Sequence, residues 1–353
     1  MSLDQPGPDK RTEEVKSEIG NRDWRYWLGL ASRYRGVMAL VAVFLLGVFF
    51  TPKSFQTGQS IFLTWQTQRD ILFEYSEFGI LACGMTLVIL TGGIDLSVGS
   101  VLGFIATLFA LLVVAHGWAI LPAVIVCCFA GTAIGVFNGF LIARFRIQPF
   151  VATLAMMVAA RGAAKLISGG IKVQPGAKPW YAMQGSPPEF YVWMTKPLPV
   201  IGLQPATLLF LLLVLVMLVV VKYTRFGRCL FAVGGNEEAA RLSGIRVGGI
   251  KIWAYALCSL FAALAGVVHA CRLQIGDPEA GATYELDAIA AVVIGGTSLM
   301  GGQGSMFFTF LGTLIIAFIN KILSINNVEE SYRLLAKGLI IIVAVLIQQK
   351  RRN

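Results

Sequence analysis

The sequence predicts an all-α polytopic membrane protein, and three observations carry that reading. Hydrophobic residues make up 56% of the 353-residue chain and charged residues only 14%, against about a quarter charged in soluble domains. Charge-poor runs recur at 37–50, 119–143, 206–221, 252–270, 306–319 and 334–347; helices of such composition suit a hydrocarbon core roughly 30 Å thick. Lys and Arg are also clustered, with seven in 1–36, two in 144–149, six in 222–251 and three in 348–353, together 18 of 29.

Each element follows from these facts. Spanning segments are read as helices because backbone in lipid must satisfy its own hydrogen bonds, and the period-two alternation of a membrane β-barrel is absent. About ten spans are expected, some short or broken. An alternating topology puts the four basic segments on one side, which the positive-inside rule makes cytoplasmic, with both termini there. The chain therefore divides into an N-terminal interfacial segment (1–36), a membrane domain (37–349) and a short tail (350–353). An outward loop at about 171–205 and an inward loop at about 222–251 interrupt the membrane domain.

Residues 1–36 are too long and polar for a signal peptide. Trp24, Tyr26, Trp27 and Tyr34 alternate with Arg25, Arg33 and Arg35 beside the first span. Aromatic rings favour the headgroup layer and arginines reach lipid phosphates, so membrane lipid rather than nucleic acid is the expected partner. Six cysteines form no C-x-x-C pair, and with two histidines, His116 and His269, no metal site is expected; both histidines are read as interfacial. No G-x-x-x-x-G-K-[ST] occurs, so the chain has no P-loop of its own, and no Ser/His/Asp, metal or carboxylate constellation marks it as an enzyme.

Two segments, 77–91 and 285–299, are short for a full crossing and end in TGGIDLSVGS (91–100) and IGGTSLMGGQGS (294–305). Aligned at Gly92 and Gly295 they share Gly-Gly-x-x-Leu and close on Gly-Ser, which points to an internal duplication. Paired short, Gly-interrupted segments mark translocation sites in transporters. The topology places both on one side, so either the repeat is parallel or a span is miscounted. Asp95 within the first is an ionisable group near membrane depth. It either lines a path or, like Ser97, caps the helix beginning near Val98. Arg161 and Lys165 share a helical face at i, i+4 and are expected to snorkel. Glu285 and Asp287 begin a short helix, where negative charge suits the dipole.

The loop TRFGRCLFAVGGNEEAARLSGIRVGGIKI (224–252) holds a compact helix between two glycine pairs. Asn236 caps it; Glu237 and Glu238 suit its first turn and Arg241 its later part. Ala239, Ala240, Ser243 and Gly244 are small enough for another protein to approach closely, with Leu242 among them.

GMTLVILTGGIDLSVGS (84–100), RIQPFVATLAMMVAARG (146–162), GGNEEAARLSGI (234–245) and YELDAIAAVVIGGTSLMGGQGS (284–305) together resemble the ribose-type carbohydrate ABC permeases over roughly 37–350. The resemblance implies a multi-pass permease of the bacterial inner membrane that pairs with a second copy or a close paralogue. It would rest on cytoplasmic ATPase subunits that bind ATP and Mg, and receive a monosaccharide from a periplasmic binding protein. Residues 236–244 would be the helix coupling to the ATPase. Gly92, Gly93, Asp95, Ser97, Asn138, Gly295, Gly296, Thr297, Ser298 and Gln303 would lie at or near the translocation path. The Pro- and aromatic-rich stretch 171–200 departs from the family pattern and is a candidate contact for the binding protein. An ion-coupled secondary transporter is the alternative; it would want several intramembrane carboxylates, and Asp95 stands almost alone.

Overall fold

The computed structural model describes residues 36–53, 58, 60–175 and 188–349. The aromatic and arginine cluster of 1–35, the segment 176–187 and the tail from 350 lie outside the described residues. The rest is helical: α1 (Gly36–Phe50), α2 (Trp65–Glu74), α3 (Ser76–Leu90), α4 (Val98–Ala110), α5 (Ile120–Phe145), α6 (Pro149–Ser168), α7 (Glu189–Thr195), α8 (Pro205–Tyr223), α9 (Arg225–Gly235), α10 (Glu237–Leu242), α11 (Val247–Leu273), α12 (Tyr284–Ile294), α13 (Met306–Ile325) and α14 (Glu330–Gln349). Among the described residues the β pairing consists of two isolated bridges.

Among the described residues six helices are long and apolar enough to cross a membrane: α4 with its π-turn extension to Ala115, α5, α6, α8, α11 and α13. The bent pair α2–α3 makes a seventh, its two parts meeting at 47°. The bend falls at Tyr75, next to which Ser76 Oγ donates to the Phe73 carbonyl at 2.7 Å and draws on the backbone ladder.

α11 is the central post, packed on α3, α4 and α5. Its contact with α5 depends on Gly131, Gly135 and Gly139, four residues apart on one face. A Cβ at Gly131 would stand 2.6 Å from that of Ala263, and one at Gly139 would stand 2.6 Å from Ile252 Cα. Without side chains at these positions the backbones approach closely, which in lipid substitutes for a hydrophobic driving force. The pairing of 131 with 263 and 139 with 252 makes the two helices antiparallel, so the end of α5 and the start of α11 share one end of the bundle. That end, carrying the 224–246 loop, is called the near end here. Gly36 packs on Phe308 and Gly302 N–H donates to Leu90 O at 3.0 Å, so the start of α1, the end of α3 and the start of α13 also lie there.

The outward-read loop is anchored rather than loose where it is described. α7 buries Tyr191 and Met194, and Tyr191 stacks on Phe109 of α4 at 5.7 Å, while Trp193, Val200 and Ile201 remain exposed.

Candidate functional site: a glycine junction beneath a capped, exposed helix

α3 and α12 run parallel. At their starts Phe78 and Tyr284 rings are 4.3 Å apart; at their ends both stop on a glycine cap at the near end. In α3, Gly92 takes φ 79, its N–H bonds to Ile89 O and Gly93 N–H bonds to Val88 O; in α12, Gly296 takes φ 92, its N–H bonds to Val293 O and Thr297 N–H bonds to Val292 O. Both are the 6→1, 5→2 Schellman arrangement. The caps superpose Gly92 on Gly296, one residue out of register with the Gly-Gly-x-x-Leu alignment that pairs Gly92 with Gly295. The two helices run parallel, while the letters shared by the two segments do not occupy equivalent positions.

The sequence-flagged glycine motifs converge. A side chain at Gly234 would run into Leu90 O and stand 2.5 Å from Gly302 N, one at Gly301 would meet Gly92 N at 2.7 Å, and one at Gly302 would meet Gly235 Cα at 2.6 Å. Three chain segments far apart in sequence therefore touch backbone to backbone. The connection from α12 to α13 is kept tight by Ser298 N–H donating to Gln303 O at 2.9 Å and Gly301 N–H donating to Ser298 O at 3.0 Å. Gly92, Met300 and Gln303 are exposed around this junction, Gly295 and Thr297 are buried, and Gly296 and Ser298 are half-buried.

From the junction α9 leads into α10. Asn236 Oδ1 accepts from Ala239 N–H at 2.9 Å, the N-cap expected from sequence. Glu237 pairs with Lys251 at 2.6 Å and Arg241 at 3.3 Å. The Lys251 ammonium, beside it, holds the Glu237 carboxyl below its ordinary range. Gly244 takes φ 81 as its N–H bonds to Arg241 O and Ile245 N–H bonds to Ala240 O, a third Schellman cap. Ala240 packs on Val233 and Val247. Glu238, Ala239, Ser243 and Gly244 are exposed, and Leu242 is 85% exposed. An apolar side chain so presented on a helix capped at both ends is a surface shaped for contact.

Asp95 is 0% exposed. Its Oδ1 accepts from Ser97 N–H at 2.9 Å and Ser97 Oγ–H at 2.6 Å, and Asn138 Nδ2 donates to Ser97 Oγ at 3.1 Å. The Cys258 thiol lies against the carboxylate. Ser97 makes no capping bond itself, so the turn into α4 is held by Asp95. The structure therefore brings Asp95, Ser97 and Asn138 together, enclosed within one chain, and sets them apart from the exposed Gly92 and Gln303.

Several charges do more than the sequence suggests. Glu77, 0% exposed, sits between His269 Nδ1 at 2.9 Å and Arg272 at 2.6 Å, joining α3 to α11; His269 is buried rather than interfacial. Arg161 does not snorkel: it donates to the carbonyls of Pro278 at 2.8 Å and Ala280 at 2.6 Å, while Lys165 pairs with Glu279 and Lys172 with Asp277. Asp287 is more than a helix start, since Lys337 of α14 reaches it at 3.1 Å. The local signal for these partners is only that a charge stands in an apolar run. Among the described residues no group of three metal-ligating side chains occurs.

A bundle of apolar helices packed around α11, with a bent α2–α3 pair and an exposed connector helix, is the body of a multi-pass membrane protein. The family described as the branched-chain amino acid transport system / permease component matches residues 69–345. The ribose import permease proteins of Escherichia coli strain K12 and Bacillus subtilis strain 168 are 40% and 38% identical, over 82% and 90% of this chain and 88% and 95% of their own lengths. The xylose transport system permease protein of Escherichia coli strain K12 is 33% identical over 90% of this chain and 92% of its own. No solved structure matches. The chain belongs to this permease family, as a membrane-spanning subunit of an ATP-binding-cassette transport system.

Proposed function

We propose that this subunit forms the membrane path of a monosaccharide importer, with a pentose the first cargo to test because its relatives carry ribose and xylose in their names. The near end faces the cytoplasm: the basic segments 144–149 and 222–251 both belong to it, as positive-inside placement requires. α1, the α2–α3 pair, α4, α5, α6, α8, α11, α12, α13 and α14 then supply ten membrane segments, of which α12 is only half a span. Exposed Trp193 and Val200 at the opposite surface are contacts offered to a periplasmic binding protein, and a second permease copy or paralogue completes the path.

One observation carries the reading. α10 is a capped, exposed helix mounted on a side-chain-free junction that touches the ends of α3 and the α12–α13 turn. Displacing it displaces both broken helices, because backbone in direct contact has no side-chain rotamers to absorb the motion. Residues 236–244 thus couple nucleotide-driven closure of partner ATPase subunits, which use ATP and Mg, to the path; the chain itself binds no nucleotide. The decisive measurement is uptake and ATP hydrolysis by the assembled transporter carrying Leu242→Asp. Hydrolysis should persist without uptake. Normal uptake in that variant, or sugar uptake by this chain alone in liposomes, would overturn the assignment.

A further inference from the structure

Between α2, α13 and α14, at the end of the bundle opposite α10, lies a polar cavity of about 160 Å³. Its charged lining sorts into two kinds. Lys321 of α13 holds Glu74 of α2 at 3.0 Å, and Lys337 of α14 holds Asp287 of α12 at 3.1 Å. Glu330 and Arg333, one turn apart on α14, also line the cavity and belong to neither pair. Glu330 is exposed and Arg333 half-buried; the Arg333 Nε is buried with no hydrogen-bond partner among the described residues. Past Lys337 the cavity meets an apolar gap lined by Ile294, Ile316, Ile319 and Ile340, about 10 Å³ in volume, room for about one water. The cavity is therefore closed on that side and open at its mouth, where Ser324, Glu330 and Leu334 are exposed.

That mouth stands at a membrane boundary. α14 has 20 residues, so it is roughly 30 Å long, about the thickness of a hydrocarbon core. Glu330, Tyr332 and Arg333 occupy its first turn, and Leu334, Leu335, Leu339 and Ile342 follow, all four exposed. Charge giving way to outward apolar side chains, with an exposed tyrosine at the change, is the pattern of the headgroup layer. Cations at this depth usually extend away from the protein. Arg333 instead keeps its Nε inside, where an unmade hydrogen bond is costly. The two unpaired charges decide what fits. A phosphate alone would satisfy the guanidinium, which grips phosphate with paired donors, but would be repelled by Glu330. A headgroup carrying both a phosphate and an ammonium satisfies both. Basic pockets between membrane helices are known headgroup sites, and this one is well below the 300–1,000 Å³ of drug-sized pockets. It suits a headgroup whose acyl chains stay outside, along Leu334 and Leu335.

We propose that this cavity binds the headgroup of phosphatidylethanolamine, its phosphate on the Arg333 guanidinium and its ammonium on the Glu330 carboxylate. The bound lipid fastens α14, which packs on α12, to α13 and α2. The proposal rests on membrane residence and is independent of the cargo. It is tested on the complete transporter, delipidated in detergent and offered equal amounts of phosphatidylethanolamine, phosphatidylcholine and phosphatidylglycerol. Native mass spectrometry reads the lipid retained, and Tm reads stability. Phosphatidylethanolamine should be retained in preference and should raise the Tm. Arg333→Gln should weaken its retention about tenfold, the loss of one charged hydrogen bond. Glu330→Gln should remove the preference over phosphatidylcholine, whose ammonium has no N–H to donate. Both variants should match the unaltered transporter in Tm when lipid is absent; should Arg333→Gln fail to fold, Glu330→Gln at the exposed rim decides alone. Equal retention of the three lipids, a preference for phosphatidylglycerol, or a preference for phosphatidylethanolamine that survives Glu330→Gln would overturn the proposal.

Discussion

The two ends of this bundle are held together by opposite means. At the near end, Gly92, Gly234, Gly301 and Gly302 bring backbone against backbone with no side chain between. Toward the far end, polar and charged side chains do the joining: Glu77 with Arg272 and, by a hydrogen bond, with His269, Glu74 with Lys321, Asp287 with Lys337, and Arg161 on two carbonyls. A glycine contact is specified by shape and tolerates no addition. A charged contact tolerates shape changes but depends on each charge keeping its partner. Under the proposed function, the first suits an end that passes on a displacement.

Substitutions can break that contrast, and the largest effect is expected at the junction. Gly234→Val places branched bulk where Leu90 O already sits, so little folded transporter should survive; membrane-inserted protein and its thermal stability in detergent report this, and a stable, active variant would remove the rigid-junction argument. Next is Glu77→Leu, which strands His269 and Arg272 beside an apolar group. Breaking a buried pair costs about 3–5 kcal/mol, visible as a lowered Tm in detergent. A Tm within the error of the unaltered protein would mean the far end does not depend on charge partnership. Gly244→Ala then forces an L side chain to φ 81, costing about 1–2 kcal/mol. Because a Cβ there meets nothing, α10 should lose coupling efficiency, read as uptake per ATP, without loss of membrane insertion. Asn236→Ala removes one cap for about 1 kcal/mol, whereas Asn236→Asp should retain coupling. The smallest effect is the exposed Glu237 cluster. Its carboxyl is held below the ordinary range by Lys251, so the pair contributes above that range and is lost as pH falls through the depressed value. With Glu237 half-exposed, Glu237→Gln should cost no more than about 1 kcal/mol, and uptake per ATP measured at high salt should show no difference.

Much of the near end was legible in the residues. Asn236, the acidic first turn and Gly244 spell a helix with both caps because each cap is a local bargain between a side chain or glycine and backbone groups within five residues. The glycine pairs at 92 and 295 mark breaks for the same reason, whereas Gly234 and Gly235 are the last residues of α9 itself. The stripe Gly131, Gly135, Gly139 was equally present, as a four-residue spacing in an apolar run, and names the tightest helix contact. The far end was not legible. Glu77 and Arg272 are 195 residues apart, and nothing near either says that a counter-charge exists.

By itself, then, the sequence determined residence in the membrane, helical spans, the clustering of positive charge and the capped exposed helix, since all of these follow from composition or from contacts a few residues long. Only the tertiary structure decided that three glycine motifs meet at one point. It also decided that Asp95 is enclosed with Ser97 and Asn138, and that the two broken helices run parallel with their caps one residue out of register. Those outcomes depend on close packing between segments that chain connectivity leaves free to meet or not.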